Sequence, residues 1–154
     1  MVYYMKKILV ILLLFVSIGV NAQSVKGYKI GDSKSSTKKE VVNTTVGGMD
    51  GTIMIGFFEE KISTIVFTSG VILKVQAEEF IGIFQEKYGV QLVEIPKKSN
   101  LNYQWFEVEK DNIRYTITTG SEDGINWDLS FVIQDVIADI KNKSIKRQRQ
   151  LKDF

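Results

Sequence analysis

The sequence contains neither histidine nor cysteine in its 154 residues. The usual general base, the imidazole metal ligand and the Ser–His and Cys–His nucleophile pairs are therefore excluded, and so are thiolate zinc sites. Catalysis would have to rest on carboxylates, lysine, tyrosine or a serine–lysine pair. Asp123, Asp128, Glu107 and Glu109 are the acids whose placement could supply a carboxylate pair of the kind glycoside hydrolysis needs. Such a pair must be close, with one pKa raised, and spacing alone fixes neither. Glu122-Asp123-Gly124 reads more simply as a solvated turn, and Glu107 and Glu109 as one face of a strand. Ser121-Glu122-Asp123 does not match the EF-hand loop. No metal, cofactor or catalytic residue is assigned.

Two further features are candidates for binding. The run Gly47-Gly48-Met49-Asp50-Gly51 could cradle an anion with backbone N–H groups. It lacks the phosphate-loop pattern and precedes no helix, so a hairpin turn through Gly47, Gly48, Asp50 and Gly51 is the better reading. The second feature is the aromatic run 102–109. Tyr103, Trp105, Glu107 and Glu109 share one parity, while Phe106 and Val108 take the other. If Phe106 and Val108 face the core, Tyr103, Trp105 and Glu107 are turned outward as a contact for a protein or a sugar ring. A second layer over them, from the N-terminal segment or the tail, is the competing expectation.

The elements that must position these residues follow from periodicity. Residues 40–46 are rich in β-branched side chains, 52–58 alternate with Ile53, Ile55 and Phe57 on one face, and 62–68 continue as a third strand. That strand puts Ile65 and Phe67 on one face and Ile62 and Val66 on the other. The period then changes to helical: Phe80, Ile83, Phe84 and Tyr88 form a stripe within 76–88, and Gly89 is placed to end it. A strand at 90–95 stops at Pro96, the single proline. A hairpin at 102–109 and 113–119 turns around Lys110-Asp111-Asn112. After a turn at 120–124, residues 126–134 alternate Trp127, Leu129, Phe131 and Ile133 against Asp128 and Ser130. The expected fold is α+β. An antiparallel sheet of six or seven strands in two meanders is covered on one face by a single amphipathic helix, with a basic helical tail.

The N-terminus reads as a signal that would direct this fold out of the cytoplasm. Lys6-Lys7 is followed by an apolar run at 8–20 and by Val20-Asn21-Ala22, the pattern of a secretory signal cut before Gln23. Thirteen helical residues at about 1.5 Å each span only about 20 Å, short of the roughly 30 Å hydrocarbon core. No permanent anchor is expected. The organisation reads as signal 1–22, polar lead-in 23–40, one domain at 41–137 and a basic tail at 138–154.

The whole chain carries 20 basic and 18 acidic side chains. Without Lys6 and Lys7 the two balance, but unevenly. Lys141, Lys143, Lys146, Arg147, Arg149 and Lys152 gather in the tail against Asp153, leaving residues 23–140 at a net −5. An exported, overall neutral protein is a poor partner for nucleic acid. Without disulfides, hydrophobic burial must carry stability, which favours the bacterial periplasm or cell exterior. The resulting expectation is a non-enzymatic binding module for a protein or an envelope polymer. A carboxylate-dependent glycan hydrolase, and an inhibitor of a foreign hydrolase that inserts the 47–51 loop, are the alternatives.

Overall fold

The computed structural model of the chain describes residues 24–152. The expected signal at 1–22 lies outside them, as do Asp153 and Phe154. A two-strand hairpin, β1 (Ser24–Val25) and β2 (Tyr28–Lys29), leads into a 3₁₀ turn at Lys34–Ser36. The main sheet follows with β3 (Val41–Val46), β4 (Met49–Phe58) and β5 (Lys61–Ser69), then α1 (Lys74–Tyr88). After it come β6 (Val93–Glu94), β7 (Tyr103–Lys110), β8 (Ile113–Gly120), β9 (Asp128–Asp135) and α2 (Val136–Lys152).

The fold is α+β: a seven-strand antiparallel sheet ordered β3-β4-β5-β9-β8-β7-β6, with α1 packed on it and α2 at the C-terminus. Each meander is built locally. The two are joined when β5 pairs with β9, which sets Phe67 opposite Phe131 at the centre.

One sheet face is the core. Ile53, Ile65, Phe67, Ile117, Leu129, Phe131 and Ile133 lie there with almost no exposure. Over them α1 lays Phe80 and Phe84, whose rings sit 5.8 and 5.3 Å from Phe131. Phe84 also meets Tyr88 and Tyr115. The helix opens with the Gln76 side chain accepting from the Leu73 N–H at 2.8 Å, and closes at Gly89 in the left-handed region, φ +58°. Only glycine adopts that conformation without strain, as the sequence predicts.

Several boundaries and facings differ from expectation, each for a local reason. Ile83 does not join the stripe: it is 53% exposed, and Ala77 with half-buried Ile81 takes its share of the contact. The strand expected at 90–95 shrinks to Val93–Glu94. Residues 89–92 instead finish the helix, Val90 N–H donating to the Gln85 carbonyl and Leu92 N–H to the Gln85 side chain. The turn expected over 47–51 is only Gly47-Gly48, with φ +57° and +80°; Asp50 and Gly51 already belong to β4.

Ile62 was expected on the face opposite Ile65 and Phe67. A bulge changes the register, so that Gly56 faces Thr64 while Phe57 faces Ile62. The extra residue, Ser63, turns Ile62 back into the core at 2% exposure. The polar lead-in also contributes more than its composition predicts. Val25 and Ile30 are buried in the core, and Gly31, Asp32 and Lys34 bond to the backbone at Glu60 and Ile62.

Candidate binding surface

The second face of the sheet is polar, and the strand registers arrange it in rows. Asn43 faces Thr52, Thr52 faces Thr68, Thr68 faces Ser130, Ser130 faces Thr118 and Thr118 faces Trp105. One residue from each of six neighbouring strands thus forms a line of amide and hydroxyl groups that ends at an indole. With strands about 4.8 Å apart the line runs about 24 Å. Thr52 Oγ1 donates to Asn43 Oδ1 at 2.9 Å, and the Thr68 and Ser130 hydroxyls lie 3.0 Å apart. The adjoining row is apolar at one end, running Val41, Met54, Val66, Val132 and then Thr116 and Glu107. Beside the polar row at the β3–β5 end is an open hollow of about 620 Å³, lined by Asn43, Thr45, Asp50, Gly51, Thr52 and Thr68 among others.

Tyr103, Trp105 and Glu107 stand on this outer face, and Phe106 and Val108 pack against the core. The parity argument therefore places them correctly. All three outward residues are half-buried, and among the described residues the loop 96–100 borders them. Ser99 Oγ accepts from Trp105 N–H, Asn100 Oδ1 accepts from Tyr103 N–H, and the Trp105 and Tyr103 carbonyls accept from Ile95 and Asn100 N–H. Lys98 then reaches over the indole, its Nζ 4.8 Å from the ring centroid and 2.9 Å from Glu107 Oε2.

The same Glu107 oxygen accepts from Trp105 Nε1–H at 3.3 Å. Burial pushes this carboxyl up, but the Lys98 ammonium, the indole N–H and Arg114 together hold it below the ordinary value. Arg114 extends the cluster to Glu109 and, at 3.7 Å, to Asp139 at the start of α2. Tyr103 donates its hydroxyl proton to Asp128 Oδ2 at 2.9 Å. That bond, some desolvation and the negative charges of Asp128, Glu122 and Asp123 raise the phenol pKa.

The acids considered for hydrolysis have structural partners. Asp123 accepts from Asn126 N–H and Ile125 N–H, then from the Ser121 hydroxyl and the Asn126 amide, and these hold its carboxyl well below the usual carboxylate range. Asp128 holds Tyr103, and Glu109 holds Arg114. Glu107 and Asp123 are both shifted down, the opposite of the raised acid that protonates a leaving group. Among the described residues no group of three or more acids is arranged to hold a metal ion. Gly47 is exposed, but a Cβ there would sit 2.6 Å from the Phe80 ring, so the turn requires glycine at this position.

Sequence reasoning turns Tyr103, Trp105 and Glu107 to the outer face but gives no sign of the polar row or of Lys98 over the indole. Alternation turns Thr52, Thr68 and Ser130 outward. Their alignment depends on β5 pairing with β9, and no local signal encodes that pairing. In class, the chain is an α+β protein with one helix-covered and one open sheet face. No family model, no curated protein and no solved structure matches it.

Proposed function

We propose that the chain is an exported, non-enzymatic binding module of the bacterial periplasm or cell exterior, and that its open sheet face engages an extended, uncharged glycan strand of the envelope. The observation that carries this reading is the six-strand row from Asn43 to Trp105. It offers one hydrogen-bonding group per strand at a spacing close to the repeat of a pyranose chain, with an aromatic ring at its end for stacking. Carboxylates flank the row at Asp50 and Asp128. They favour a neutral polymer over an anionic one by simple charge repulsion.

Co-sedimentation with purified cell-wall material and with insoluble neutral polysaccharides tests the reading. The double variant Thr68→Val and Ser130→Ala keeps side-chain volume and removes two central hydroxyls. It should lose at least tenfold in retention while its melting temperature holds. Trp105→Ala should lose retention as well. A wild-type chain that stays in the supernatant with every polymer would end the proposal.

A further inference from the structure

The two edges of the main sheet are built differently. At the far edge the outward backbone groups of Tyr103 and Trp105 are all bonded by residues 95–100, and β6 pairs with Glu107 and Phe106 beyond them. That edge is closed, and Pro96 follows β6 after one intervening residue. Among the described residues the β3 edge carries none of these devices. Its six residues, Val-Val-Asn-Thr-Thr-Val, hold no charge and no proline, and five of them are β-branched. Natural sheets blunt such edges, because a row of free N–H and C=O groups is a template for another strand. Ile55 N–H donates to the Glu40 carbonyl at 2.8 Å. Antiparallel pairs alternate between bonded and non-bonded, so Val42, Thr44 and Val46 bond inward to β4. Val41, Asn43 and Thr45 point their backbone groups away from the sheet.

We propose that this edge is a self-association surface, on which a second copy of the chain pairs its own β3 antiparallel about a two-fold axis through Asn43. Outward residues must face outward residues, and a two-fold axis at the central one sets Asn43 against Asn43 and Val41 against Thr45. Lys39, two positions before β3 and of the same parity as Val41, then lies beside the Gly47-Gly48 turn of the other copy. Its side chain is directed at Asp50, which the Thr45 hydroxyl holds at 2.5 Å on the same face. The contact thus gains two symmetric Lys39–Asp50 pairs and meets no like charge along the edge. The polar rows of the two copies would join at Asn43 into one line across both sheets. The proposal stands on the edge alone and does not depend on what the outer face binds.

Light scattering on the eluting protein, or sedimentation equilibrium, over a rising concentration series tests it. The wild-type chain should reach twice the single-chain mass. Asn43→Pro removes an outward N–H and spares the backbone bonds to β4, losing only the exposed Thr52 hydroxyl bond to the Asn43 side chain, and Asn43→Lys sets two ammonium groups face to face. Both should stay at the single-chain mass with melting temperatures within a few degrees of wild type. Lys39→Glu should weaken the dimer at low salt, and adding Asp50→Lys should restore it. A wild-type chain of single mass at every concentration overturns the proposal, and so does an Asn43→Lys chain that dimerises like wild type.

Discussion

The Glu107 carboxylate joins loop to sheet, taking the Lys98 ammonium and the Trp105 indole N–H on a single oxygen. Its folded pKa lies below the ordinary 4.5. A lowered carboxyl contributes stability that is fully present above the unfolded pKa and lost as pH falls through the folded value. Acidification below pH 4.5 should therefore loosen the 96–100 loop and uncover Trp105. In two-dimensional NMR, the Trp105 indole N–H should titrate with a midpoint below that of an isolated glutamate. Glu107→Gln should abolish the transition, and Trp127 should report none of it. A midpoint at or above 4.5 would refute the electrostatic account. The outward facing of Tyr103, Trp105 and Glu107 was legible in the sequence because alternation along a strand is local. Their cover was not, because it depends on where Ser99 and Asn100 fold back.

Among the elements, the hairpin turns show how conformation and sequence can disagree. Gly47-Gly48, Glu59-Glu60 and Asp111-Asn112 all have two positive φ angles, the geometry that matches the twist of paired strands. Glycine enters this region freely and Asp and Asn tolerate it, but Glu59 and Glu60 carry strain of about 1–2 kcal/mol each. Glu60→Gly should raise the melting temperature, with a net gain of about 0.5–1 kcal/mol after the extra freedom of the unfolded glycine. Gly47→Ala should lower it, by more than about 1 kcal/mol, through positive φ and the Phe80 ring together. Both are read by thermal melts followed by circular dichroism, and a change of the opposite sign in either would refute the turn assignment. The helix allows a matched comparison. Phe84→Ala should cost about 3–5 kcal/mol because four aromatic neighbours lose a partner. Ile83→Ala, on the exposed side, should stay within about 0.5 kcal/mol. Strand and helix types were readable here because period 2 and period 3.6 differ over a few residues. The bulge at Ser63 was not, because one inserted residue shows only against its partner strand.

At the scale of the molecule, charge and fold are divided between the same two parts. Residues 23–140 carry a net −5, and the six basic side chains beyond them lie on α2. Of that helix only Val136 and Ala138 are buried, and Asp139 is its link to Arg114 on the sheet. Residues 141–152 therefore contribute charge without contributing to the core. The order of strands within each meander was legible because each turn is short. The β5–β9 pairing was not, since those strands lie more than sixty positions apart and any two apolar strands satisfy the same pattern. A chain ended after Ile140 should consequently melt cooperatively, within about 1 kcal/mol of the full chain, because no cavity is created and Asp139, losing Lys143, keeps Arg114. It should also bind an anion-exchange resin more tightly, having lost its cations while keeping the acidic sheet. If instead the truncated chain unfolds at a much lower temperature, α2 must pack on the sheet beyond its first turn. The separation of a stabilising body from a charged arm would then be wrong.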